Sequence, residues 1–204
     1  FIGAYVGTVV LYASTGLGHP AQVTEGRSAA DGTTVTVDVE ELQSVKGTLV
    51  ANLTVSPGPG LMDPVTHNLK DDLGVAVTSA VTPTKRSWSK GTVPGVFPVA
   101  VTISGDPSEW PFDQYSSGPI TVELFRGVTE VPERASVTFV DRLPGWKVNV
   151  LGSSADKPAL YRVELQRSPS TAAFAAIIVG AMVLMAGLGL FVAVQTVRDG
   201  RKYQ

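Results

Sequence analysis

The 204-residue chain has room for one domain of ordinary size and for membrane anchors. Its formal charge of −2, from 16 basic and 18 acidic residues, sets up no field that would gather nucleic acid. The absence of cysteine excludes disulfides, thiolate metal sites and cysteine nucleophiles.

The amino end is apolar from Phe1 to Ala13. At helical rise this run reaches only about 20 Å of a hydrocarbon layer of about 30 Å. It therefore reads as the outer part of a transmembrane helix over residues 1–14 whose cytoplasmic start precedes Phe1. A cleavable signal peptide is the alternative; Tyr5, Tyr12 and the absence of an Ala-x-Ala site tell against it. Either way, the residues after Ser14 are carried across the membrane. Residues 15–32 read as a polar connector.

From Thr33 to Leu42, Val35, Val37 and Val39 alternate with Thr36, Asp38 and Glu40, which predicts a strand with one wet face. Similar stretches run over 47–55, 74–81, 96–103, 120–125, 136–140, 147–150 and 160–165. Gly and Pro punctuate them, and the spacing predicts a mainly β fold, an antiparallel β-sandwich occupying residues 15–168. Pro57-Gly58-Pro59-Gly60 predicts a surface loop, because two prolines lack the ladder donor. A second loop or short helical turn is expected over 63–73.

Ala172 to Val194 carries no charge over 23 residues, enough to span about 34 Å as a helix. A transmembrane helix over 171–196 is expected, followed by a basic tail over 197–204 that holds Arg198, Arg201 and Lys202. The positive-inside tendency puts that tail in the cytoplasm and the β domain on the extracytoplasmic, periplasmic side of the plasma (inner) membrane. Gly3 with Gly7, Ala176 with Gly180, and Gly189 with Ala193 are small pairs at four-residue spacing. Such ridges let helix backbones approach closely, though membrane helices are rich in Gly and Ala in any case. Gly3, Gly7, Ala176, Gly180 and Gly187 are the candidate helix-packing positions.

No catalytic set emerges. His19 and His67 lack a second ligand at metal spacing, and no nucleophile elbow, phosphate loop or dinucleotide fingerprint is present. Neither metal nor cofactor is expected, and the chain does not read as an enzyme. Asp106, Glu109 and Asp113 lack the pattern of a calcium loop and read as solvated turn residues and caps. Lys85, Arg86 and Lys90 around Trp88 form a small basic cluster that reads as a solvated loop, with headgroup or partner contact as the rival. The most distinctive stretch is Trp110-Pro111-Phe112-Asp113-Gln114-Tyr115. Pro fixes its own dihedral and Asp bonds nearby backbone amides, so the segment predicts a rigid corner. Its aromatics can wedge against the domain, or meet a partner or the lipid interface.

The Pro-Phe-Asp of this stretch is similar to the signature loop of pentameric ligand-gated channels. Those channels carry four helices after their sandwich and no anchor before it, and Phe1–Ala13 departs from that pattern. The whole chain resembles more closely a family of actinobacterial and fungal membrane proteins of unassigned domain type. In that family an amino-terminal helix, an extracytoplasmic β domain with an aromatic-Pro-Phe-Asp-x-Tyr motif and carboxyl-terminal helices follow one another. Trp110 stands where Tyr is more usual. Within the family the chain resembles accessory subunits of mycobacterial Mce fatty-acid importers. That resemblance implies an accessory, stabilising or regulatory membrane subunit in the mycobacterial cell envelope. Its partners would be permease and Mce subunits of a lipid-transport complex. A free-standing extracytoplasmic module that binds lipid or another ligand is the alternative.

Overall fold

Val35, Val37 and Val39 lie on the buried face of a ten-residue strand, and Thr36 and Asp38 alternate with them on the wetter one. The same two-residue period buries Leu49, Ala51, Leu53 and Val55 on the neighbouring strand. The structure is a computed structural model that describes residues 3, 6, 7, 9, 10, 22–25, 32–79, 84–153 and 160–200. Its described strands are β1 (Gln22–Glu25), β2 (Thr34–Gln43), β3 (Thr48–Ser56), β4 (Leu73–Thr78), β5 (Thr84–Trp88) and β6 (Phe97–Gly105). They continue with β7 (Gln114–Ser117), β8 (Ile120–Arg126), β9 (Val131–Glu133), β10 (Ser136–Asp141), β11 (Trp146–Ser153) and β12 (Leu160–Arg167). One long helix follows, α1 (Pro169–Gly200).

The strands join in one large mixed sheet in the order β1-β10-β2-β3-β6-β7-β12-β8-β4-β5, with β11 added on β12 and β9 on β8. β6 carries the path from one half to the other: it pairs with β3 over Thr102 to Phe97 and then with β7 over Ile103 to Gly105. Strands from both halves face a common core. Val37, Leu53, Val77, Ile120, Phe139 and Val163, from β2, β3, β4, β8, β10 and β12, line one small void. The rings of Phe139 and Tyr161 meet there at 5.3 Å between centroids.

All eight predicted strands are present, with bounds shifted by a few residues. Three expectations need correction. The sheet is not wholly antiparallel, because β10 runs parallel to β2, with Val137 opposite Val35 and Val39 opposite Asp141. The expected connector over 15–32 holds β1, which pairs with β10 from Gln22↔Val140 to Glu25↔Val137. The basic cluster of Lys85, Arg86 and Trp88 is strand β5 rather than a loop, paired with β4. Its side chains are mostly solvated, and Lys85 forms an ion pair with Glu130. The Pro57–Gly60 loop is present and is tied to the body of the sheet by Gly58 N–H, which donates to Thr33 Oγ1 at 3.0 Å.

The chain divides into two units. One is Gly18–Arg167, the β unit; the other gathers Phe1–Leu17 with Ser168–Gln204. In the second unit, Pro169–Arg198 contains an 18-residue stretch with a mean hydropathy of 2.7 and is long and apolar enough to cross a membrane. Its 30 residues span about 45 Å, more than a hydrocarbon core of about 30 Å. Phe174, Ile178, Met182, Leu184, Leu188 and Phe191 are all exposed along it. Apart from Gly3, Val6, Gly7, Val9 and Val10, the helix expected over 1–14 lies outside the described residues, as do His19 and the end of the basic tail.

Candidate functional site

The predicted corner is built by a short series of local hydrogen bonds. Asp106 caps a 3-10 turn over Pro107–Glu109, with its carboxylate accepting from Ser108 N–H at 2.8 Å. Phe112 N–H then donates to the Glu109 carbonyl at 2.8 Å, and the Trp110–Pro111 peptide within the turn is cis. This fixed turn presents two large aromatic side chains to solvent, Trp110 at 55 % exposure and Phe112 at 71 %. Pro111 between them is half-buried.

The next residue does the opposite. Asp113 is 1 % exposed, so its expected place among solvated turn residues is corrected. Asp106 and Glu109 are exposed, as expected of turn residues. The burial of Asp113 follows from register. β7 and β12 pair antiparallel with Gln114 opposite Gln166, and one step further out Asp113 comes opposite Arg167. Arg167 Nε donates to Asp113 Oδ1 at 2.6 Å and Nη2 to Oδ2 at 3.1 Å, a bidentate pair. Tyr115 O–H, two residues along on the same face, donates to Asp113 Oδ2 at 3.2 Å. Both carboxylate oxygens are thus occupied, as a buried charge requires.

On its other side Arg167 pairs with Trp146 of β11, and the guanidinium lies 4.3 Å from the centre of the indole ring. The Tyr115 ring meets the same indole edge-on at 5.5 Å. A planar cation stacked on Trp while forked onto a carboxylate is a geometry that Lys cannot reproduce. Burial pushes the Tyr115 phenol up; a hydrogen bond with Ser44 opposes this, and the neighbouring Asp113 charge adds to it. The phenol therefore stays a protonated donor to Asp113.

Two glycines complete the corner. A Cβ on Gly105 would fall against the Gln114 carbonyl and the Tyr115 ring, so only glycine lets β6 meet β7 there. Gly47 has φ +62°, closes the tight connection between β2 and β3, and its carbonyl accepts from Ile103 N–H at 2.9 Å. That connection leaves Val45 exposed and brings Ser44 to Tyr115.

Sequence patterning found Trp110, Pro111, Phe112, Asp113 and Tyr115, and the structure joins the last two to Arg167, Trp146 and Gly105, which it missed. Arg167 had one available signal: it follows Leu165 at the end of a strand pattern, immediately before the linker. The candidate helix-packing residues belong to the other unit. Ala176 is exposed, and a Cβ on Gly3, Gly7, Gly180 or Gly187 would meet no described atom within 4 Å.

One void is lined by described residues of the facing strands. The void between the facing strands holds about 10 Å³ and is wholly apolar, enough for one water and far too small for an acyl chain. Among the described residues no group of three or more His, Asp or Glu is placed to hold a metal ion. His67 is an exposed turn residue with φ +54°, its N–H donating to the Asp63 carbonyl at 2.9 Å.

Comparison with protein families matches residues 23–165 to the family described as domain of unknown function DUF4436. Comparison with curated proteins finds no match.

Proposed function

We propose a role from this premise: the chain belongs to the DUF4436 family, whose domain covers residues 23–165. We read it as an anchored, non-catalytic subunit, a LucB-like accessory component of an Mce-type lipid or fatty-acid import complex. Its β unit, taken as a two-layer sandwich, would lie on the extracytoplasmic side of the plasma membrane. The basic residues after α1 would remain in the cytoplasm, in line with the positive-inside tendency.

The observation that carries this reading is α1 itself. It is apolar around its whole circumference, and its large side chains are exposed. Ala176, Gly180 and Gly187 interrupt that surface with small residues where another helix backbone can approach closely. The β unit adds a presented aromatic corner, and the void between its facing strands is too small for an acyl chain. Together they favour contact with other membrane components over binding of a ligand inside the β unit.

The test is co-purification of the tagged full chain from native membranes in mild detergent. Permease and Mce subunits should accompany the wild type, and Gly180→Leu with Gly187→Leu should release them. Chain recovered alone with bound lipid, identified by mass spectrometry, would support the free-standing lipid-binding module instead.

A further inference from the structure

The residues exposed at the corner are not scattered. Register places them at one end of the β unit, the end at which the chain leaves for α1. Arg167, held by Asp113, is two residues before Pro169, the first residue of the apolar helix. Two peptide units span at most about 7.6 Å between Cα atoms. The anchor of the aromatic corner is therefore tied by covalent geometry to the start of the apolar helix. The β2–β3 connection joins the same end through the Ile103–Gly47 hydrogen bond, with Ser44 near Tyr115, and presents Val45 at 92 % exposure, with Lys46 beside it. Val128, also exposed, lies in the turn after β8. β8 starts opposite Tyr161 and runs antiparallel to β12, away from Arg167.

We infer that Trp110, Phe112 and Val45 form a lipid-facing surface that dips into the interfacial layer of the bilayer. This inference rests on α1 crossing a membrane and not on the identity of any complex. Trp is enriched at the membrane–water boundary because its ring is apolar on its faces and donates at one edge. The turn that carries Trp110 and Phe112 is already hydrogen-bonded, so little ordering is left to occur on contact. Charge contributes little: Lys46 is offset by Glu109 beside Trp110, and both are exposed. The surface is held by aromatic and aliphatic insertion, and zwitterionic lipid suffices.

The chain has no cysteine, so single-cysteine variants can be labelled cleanly. Ser108→Cys and Val45→Cys leave both aromatics in place, Val128→Cys is the far-end reference, and Leu184→Cys marks depth within α1. Each full-length variant carries an environment-sensitive fluorophore in phosphatidylcholine nanodiscs, with nitroxide lipids as quenchers. The expected result is shallow-nitroxide quenching several-fold stronger at positions 108 and 45 than at 128, with deep quenching at 184. Trp110→Ser with Phe112→Ser in the Ser108→Cys chain should bring its quenching to the level seen at 128. Quenching at 108 and 45 equal to that at 128, with aqueous iodide reaching all three, would overturn the inference while leaving the anchor intact. Shielding of 108 from both lipid nitroxide and iodide would overturn it in favour of a second copy of the chain. Absence of deep quenching at 184 would remove the membrane-spanning reading and this inference together.

Discussion

Two Arg–Asp pairs in this molecule have nearly the same shortest distance and very different settings. Arg142 Nε meets Asp38 Oδ1 at 2.7 Å, with side-chain exposures of 54 % and 14 %. Arg167 Nε meets Asp113 Oδ1 at 2.6 Å, with exposures of 25 % and 1 %. The first pair ties the end of β10 to the face of β2 through one bond to a solvated guanidinium. In the second, the guanidinium is forked, stacked on Trp146 and shares its carboxylate with Tyr115. Distance alone does not rank them; the difference lies in what happens to each partner when the other is removed. Water takes over a lost contact at Arg142, whereas at the corner a charge would be left stacked and largely dry.

The largest predicted effect follows directly. Asp113→Ala should lower unfolding stability by about 3 kcal/mol, the lower end for breaking a buried pair because Arg167 keeps some solvent. Asp38→Ala should lower it by roughly 1 kcal/mol or less. Urea unfolding of the full chain in detergent, followed by Trp fluorescence, reads both. Equal losses would break the contrast.

A smaller effect sharpens the comparison from the packing side. Gly105→Ala should cost about 2 kcal/mol, since its methyl meets a backbone carbonyl and a buried ring that cannot both give way. Gly95→Ala, where a Cβ would meet nothing within 4 Å, should change stability by about 0.5 kcal/mol or less. The same unfolding experiment compares them.

The smallest effect is in pH. Burial pushes the Asp141 carboxyl above the ordinary value of 3.8, against hydrogen bonds from Leu143 and Val148 N–H that pull it down. Its folded form binds the proton more tightly than its unfolded form. Its contribution to stability therefore grows as pH falls through the folded value and is complete below 3.8. Asp63 has the opposite sign. Backbone N–H groups of Thr66 and Val65 hold its carboxyl below 3.8, so its contribution is present above that value and is lost as pH falls through the folded one. On acidification the wild type should gain stability relative to Asp141→Asn and lose it relative to Asp63→Asn, measured as thermal midpoints across pH 3 to 7. Parallel curves for the two variants would contradict the assignment.

Period-two patterning exposed the strands whose one face is core, from the valines of β2 to Val163 and Leu165 of β12. It failed where a strand owes its place to a partner rather than to its own alternation. β5 has mostly solvated side chains and is held by its ladder to β4. β1 is four residues long and is positioned by β10, which is more than a hundred residues away in sequence. The parallel pairing of β10 with β2 leaves no local mark for the same reason. The aromatic corner was legible because Pro and three aromatics in six residues are unusual. The buried role of Asp113 was not, since it depends on the register between β7 and β12 that brings Arg167 across from it.

The most direct measurement is a pair of double-mutant cycles on the full chain, Asp113→Asn with Arg167→Gln, and Asp38→Asn with Arg142→Gln. A coupling of about 2 kcal/mol or more is expected for the corner pair, against roughly 0.5 kcal/mol for the solvated one. Coupling at the corner no larger than at Asp38–Arg142 would mean that the aromatic corner is not clamped to the strand leading into α1.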